Sequence, residues 1–158
     1  MAPDEAPELV PSVYDRLIDP DPSGERWRHF YSVEDLAAAV QRDVEDLLNT
    51  ATSSRRIPRA FVRTRESIAA YGLAEVVARR LSDSQEQLAF ADKLKETIKQ
   101  FEPRLADVIV EPVPSEEPVA TVRFRIQAQV AGAGEDLTFA TVLELTTGRW
   151  RPPRKERA

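Results

Sequence analysis

His29 is the only histidine, so a Ser-His-Asp nucleophilic system would have to be built on it. Its surroundings, ERWRHFYS, are polar and contain no nucleophile turn between strand and helix. His29 therefore reads as an exposed or interfacial side chain. Hydrolysis of a glycosidic bond needs two carboxylates at a set separation, one of them held protonated. Among 27 acidic residues some pair always qualifies on paper. Glu102 and Glu111 can be put forward, but nothing in the sequence prefers them. Gly132 and Gly134 form a G-x-G that joins two strand-like runs. A phosphate cradle needs helix N–H groups behind it, so this one reads as a turn. With no cysteine there is no disulfide framework, thiolate nucleophile or thiolate-held metal. No cofactor is indicated, and the chain reads as non-enzymatic.

Three other patterns point to binding. Arg55, Arg56, Arg59, Arg63 and Arg65 cluster around Phe61, a combination able to contact phosphates and stack on a base. The same residues equally suit a solvated loop or a patch for an acidic protein surface, and the net charge of −5 disfavours general attraction to nucleic acid. The run DLTFATVLELTTG, carrying Leu137, Phe139, Thr141 and Leu143, is long and free of proline and lysine. As the edge strand of a meander it lacks the usual guards, and it suits either addition of a strand from another chain or cover by another segment of this one. Finally, IKQFEPRLADVIV passes from helical spacing to β-branched residues through Glu102-Pro103-Arg104. Pro103 is an ordinary helix stop. Arg104 suits the negative end of the helix dipole, whereas Glu102 opposes it. Such an acid is reasonable if a partner, or Arg104 itself, pairs with it.

The elements that must position these residues follow from spacing. Ser32 with Asp35 makes a capping-box start for a helix over about 32–49, whose Val33, Leu36, Ala37, Val40, Val44, Leu47 and Leu48 form one apolar stripe. TRESIAAYG predicts a short helix ending at Gly72. SQEQLAFADKLKETIKQF predicts a helix over 84–101, capped by Ser84 and Gln87, with Leu88, Ala91, Leu94, Ile98 and Phe101 on one side. The period then becomes two. Val122, Phe124, Ile126, Ala128 and Val130 alternate with Arg123, Arg125, Gln127 and Gln129, and DVIVEPV and LTFATVLEL flank them as further strands. One dry and one wet face favour an antiparallel sheet. The expected architecture is a small α+β domain, with amphipathic helices on one face of a three-stranded, at most four-stranded, antiparallel meander.

The balance of 42% hydrophobic and 31% charged residues in 158 suits a single globular domain. Residues 1–25 hold five prolines and many acids, predicting an extended arm in which PSVYDRLID forms one or two helical turns opened by Ser12. The domain is expected over 26–150, followed by a basic tail over 151–158. The acidic N-terminus and the lack of a long apolar run point to a cytoplasmic protein.

PSVYDRLID, RDVEDLLNT, SIAAYGL, FEPRLADVIV, FRIQAQV and LELTTGRW occur here in an order that resembles the TssE family of type VI secretion baseplate proteins. That family lies within the tailed-phage baseplate wedge proteins once labelled lysozyme-like. The resemblance runs from about Pro11 to Trp150, with FEPRL its most specific part. Ala70 and Ala74 depart from the family's asparagine and proline in SVLNYGLP. The resemblance implies a structural role in a contractile injection machine, in a wedge with TssF and TssG near TssK. It also implies contact with the first TssB/TssC sheath layer, for which the third strand would offer its edge. It links Glu102, Pro103 and Arg104 to baseplate assembly, and on that basis Glu102 and Arg104 are expected to make ion pairs at an interface, with Pro103 fixing their separation. The competing reading that the old label suggests is a peptidoglycan hydrolase, and a nucleic-acid module is the third.

Overall fold

The computed structural model describes residues 11–18, 23, 32–52, 57–73, 81, 83–114, 121–130 and 136–152. Four α-helices fall in these spans: α1 (Val13–Ile18), α2 (Val33–Asn49), α3 (Val62–Arg65) and α4 (Ser84–Phe101). They are joined by a 3₁₀ turn over Ile68–Ala70 and followed by β1 (Leu105–Val113), β2 (Thr121–Val130), β3 (Asp136–Glu144) and β4 (Arg149–Arg151). The strands make one antiparallel sheet in the order β1-β2-β3-β4, the α+β fold that the change of period predicts.

The capping box on α2 is present: the Ser32 hydroxyl accepts from the Asp35 N–H while the Asp35 carboxylate accepts from the Ser32 N–H. The cap of α4 lies one residue earlier than the sequence suggests. Asp83 accepts from the Glu86 N–H, and its negative charge also suits a helix N-terminus. Gln87 instead donates to the Leu81 carbonyl. The predicted helix over 64–72 is two short pieces, α3 and the 3₁₀ turn, because Ser67 interrupts it and caps the second piece through the Ala69 N–H.

The apolar stripes of α2 and α4 meet the dry face of the sheet. Val40, Val44, Leu94, Ile98, Phe124, Ile126 and Leu143 are fully buried there. Phe90, Phe124 and Trp150 form an aromatic group, with Phe90 stacked on Trp150 at 6.1 Å and Phe124 at 5.7 Å from it. Leu88 is a correction to the expected stripe: it is 56% exposed, on the rim of a shallow hollow shared with Pro112 and Pro114. Phe90 packs against the core in its place.

The β1 register slips between Ala106 and Ile109, and Asp107 takes a left-handed φ of 49°. Aspartate tolerates that conformation better than β-branched residues do. The bulge returns Val108 to the core and leaves Ile109 48% exposed. Gly72, at φ 105°, lets the backbone pass close to Thr50. There Leu73 donates to the Thr50 carbonyl and Thr52 to the Leu73 carbonyl, a parallel bridge that ties the end of α2 to the segment before α4.

Candidate functional site

The Glu-Pro-Arg segment is a β-turn. The Leu105 N–H donates to the Glu102 carbonyl at 3.1 Å, with Pro103 in the second position, where its fixed φ suits the turn. Glu102 is also the C-terminal cap of α4, its N–H donating to the Ile98 carbonyl at 2.8 Å. The turn therefore ends α4 and starts β1 with only three residues between them, and its geometry is held by both elements.

Its charges are neutralised inside the chain. Glu102 is only 5% exposed. It accepts from the Arg104 Nε at 2.6 Å, from the Arg104 N–H at 3.2 Å, and at its second oxygen from Arg104 Nη2. The same Nη2 reaches across to Asp43 on α2. The other Asp43 oxygen accepts from Arg42 at 2.7 and 2.9 Å, and Arg42 pairs with Asp15 on α1 at 2.8 Å while lying over the Tyr14 ring. Asp15, almost fully buried, also accepts from the hydroxyl and N–H of Ser12. The result is a chain of alternating charge, Asp15–Arg42–Asp43–Arg104–Glu102, that joins α1, α2 and the end of α4.

This network accounts for an acid at a helix end that disfavours it. The opposed dipole costs on the order of 0.3–1 kcal/mol, less than the roughly 1.5–3 kcal/mol of a charge-assisted bond shielded from water. The Glu102 carboxylate holds the Arg104 guanidinium well above the ordinary arginine range, against its partial burial, with Asp43 adding to the effect. Burial alone would raise the pKa of Asp15, but the bonds from Ser12 and Arg42 outweigh it and the net shift is downward. Arg42 shows the mirror case, with its desolvation outweighed by Asp43 and Asp15.

The structure places the other sequence candidates as follows. Pro103 is exposed at the tip of the turn, and Arg104 keeps 30% of its side chain exposed. Of the arginine cluster, Arg59, Arg63 and Arg65 are exposed, and Arg65 donates to the Ile57 carbonyl. Arg55 and Arg56 lie outside the described residues, as do His29, Ala74 and Gly132–Gly134. Ala70 is buried, and its carbonyl accepts from the Thr52 hydroxyl at 2.8 Å.

On β3, the apolar side chains of Phe139 and Leu143 face the core and Thr141 is fully buried. A fourth strand adds to the end of this one: β4 pairs Val142 with Arg151, Leu143 with Trp150 and Glu144 with Arg149. Among the described residues no strand lies outside Asp136–Ala140, which includes Leu137 and Phe139; Thr141 is covered, its hydroxyl donating to the Arg151 carbonyl at 3.4 Å. Among the described residues the unpaired edge of β3 is therefore Asp136–Ala140, and Leu143 is already paired. The Glu102–Glu111 pair does not suit glycoside hydrolysis. Glu111 lies far along β1, on the order of 15–20 Å away at the rise of a strand, whereas such a pair needs under about 10 Å. Both Glu102 oxygens are also occupied by Arg104.

Sequence reasoning missed Asp15, Arg42, Asp43 and Asn49. The first three are polar residues on faces that read only as solvated, and their pairing runs between elements. Asn49 donates to the Trp150 carbonyl at 3.1 Å and accepts from the Trp150 N–H at 3.0 Å, so α2 holds β4 through one amide. The DLLNT ending of the helix was its only signal.

Among the described residues no helix is long and apolar enough to cross a membrane, and no group of side chains is arranged to hold a metal ion. No curated protein matches the chain. Among solved structures it is similar to a protein from Geobacter sulfurreducens provisionally described as a tail lysozyme. The identity is 14%, the TM-score is 0.46, and 81% of this chain and 97% of that one are covered; a likeness of this size carries no argument. The family model for baseplate wedge protein gp25 matches residues 34–135, which include α2, the Glu-Pro-Arg turn, β1 and β2. Matched over well more than half its length, the chain belongs to the baseplate wedge protein gp25 family, structural parts of contractile-tail baseplates that work in contact with other baseplate components.

Proposed function

We propose that the chain is a wedge subunit of a type VI secretion baseplate. It binds TssF and TssG near TssK, in the cytoplasm, and presents the open part of β3 as an edge at which the TssB/TssC sheath begins to form. The observation that carries this reading is the Glu-Pro-Arg turn, held rigid by a charge network that spans three helices and yet leaves Pro103 and part of Arg104 at the surface. A preorganised turn loses little freedom on binding, which favours a docking role. The Asp136–Ala140 edge, unpaired among the described residues, supports the sheath contact by strand addition.

Co-expression with TssF and TssG, followed by size-exclusion chromatography with light scattering, tests the reading. The wild-type chain is expected to co-elute as a defined complex. The double variant Glu102→Gln/Arg104→Gln removes both charges without leaving either one alone, so it is expected to fold but to co-elute weakly. A folded wild-type chain that never co-elutes with either partner overturns the proposal.

A further inference from the structure

Beside the Glu-Pro-Arg turn lies an open groove of about 550 Å³. Among the described residues its apolar walls include the rings of Tyr14, Tyr71 and Phe101, and its charged lining is Asp43, Asp46, Glu102 and Arg104. Tyr71 and Phe101 meet edge to face, with centroids 5.4 Å apart, so this wall is fixed by packing. The lining carries three carboxylates against one guanidinium. Asp43 and Glu102 are occupied by Arg42 and Arg104. Asp46 differs: its carboxylate is exposed and has no hydrogen bond or ion pair among the described residues. The Tyr71 phenol is pushed up by burial and then by the charges of Asp46, Asp43 and Glu102, so negative potential reaches the ring wall itself.

An apolar side chain entering this groove would desolvate Asp46 without pairing it, and an acidic one would be repelled. A cation meets both needs, since it can lie against an aromatic face and pair with a carboxylate. Arginine fits better than lysine, being planar, weakly hydrated and forked. We propose that the groove receives an arginine side chain of a protein partner, the guanidinium lying against the ring of Tyr71 and paired with Asp46. The identity of the partner rests on the wedge reading above, while the chemistry of the occupant does not.

The test is an NMR titration of the full ¹⁵N-labelled chain with the peptide acetyl-Gly-Arg-Gly-amide at low salt, beside the same peptides carrying citrulline or glutamate. The arginine peptide is expected to shift amides near Asp46, Tyr71 and Phe101, and the citrulline peptide to bind about tenfold more weakly or less. Asp46→Asn is expected to lose most of the response while melting at the wild-type temperature, since that carboxylate has no hydrogen bond or ion pair among the described residues. Equal binding of the citrulline peptide, scattered shifts, or an unchanged response in Asp46→Asn overturns the inference. In the assembly, a wild-type complex with TssF and TssG that Asp46→Lys leaves equally tight removes the groove contact and keeps the wedge reading. A wild-type chain that forms no complex removes the wedge reading, and the peptide titration still decides the groove.

Discussion

Glu102 and Asp15 close the two ends of one alternating charge chain, and each tests a different property of it. Glu102→Gln removes the carboxylate that accepts the bonds from Arg104 and leaves that guanidinium to Asp43 alone. The expected loss is about 1.5–3 kcal/mol by urea unfolding, toward the lower end because Arg104 is part exposed. Asp15→Asn tests the pH dependence. The Asp15 pKa is depressed from 3.8 in the folded chain, so the folded state binds its proton less readily than the unfolded one. Its contribution is therefore complete above the unfolded value and lost as pH falls through the lower folded value. The stability difference between wild type and Asp15→Asn is expected to be constant from pH 6 to 8 and to shrink below about pH 4. A difference that persists unchanged into stronger acid would separate Asp15 from the network. At the residue scale the acid of FEPRL was legible as an anomaly, because helix-end electrostatics is local. Its second partner was not, since Asp43 lies 61 residues from Arg104 in sequence and no local rule connects them.

At the scale of elements, two small contacts hold separate pieces in place. Asn49 at the end of α2 makes both backbone bonds of Trp150, taking the part that a fifth strand would play for β4. Asn49→Ala is expected to cost about 1–3 kcal/mol and to speed amide exchange in β4 more than in β2. Uniform exchange would show that β4 is held by its pairing with β3 alone. Gly72 serves the Thr50–Leu73 bridge. A Cβ there would stand 2.4 Å from the Thr50 carbonyl oxygen, at a φ of 105°, so Gly72→Ala is expected to lower stability by roughly 1–3 kcal/mol. Both constraints leave a partial trace in sequence. The glycine after a helical pattern predicts a left-handed stop, but not the strand of backbone that it approaches.

For the whole molecule, the consequence of four strands instead of a bare third is a shorter open edge. β4 covers Val142–Glu144, so the proposed strand addition is confined to the beginning of β3. Thr138 is exposed on that stretch, and a lysine there would act as an edge guard. Thr138→Lys is expected to leave stability within about 0.5 kcal/mol and to reduce the number of fluorescent sheath structures that start in cells carrying the system. Normal sheath numbers would count against the proposed strand addition at this edge. The exposed Val13 and Leu17 of α1 and the exposed Phe61, Val62 and Ile68 around α3 add apolar area on the helical side, in keeping with a protein whose family works among other baseplate components.

The sequence by itself determined the helices α1, α2 and α4, the strands β1–β3, the caps of α1 and α2, the inward face of β2 and the helix stop at Pro103. All of these depend on periods of 2 or 3.6 and on backbone groups within four residues. It also determined the family, because FEPRL and DLLNT are ordered motifs that survive in the linear chain. Tertiary structure alone decided that Glu102 is buried and neutralised, that Asn49 holds β4, that the β1 bulge exposes Ile109, and that three aromatic rings meet Asp46 in one groove. Each of these joins residues far apart in the chain, where the energy comes from desolvation and pairing across elements. Such terms have no value until packing has set which groups leave water together.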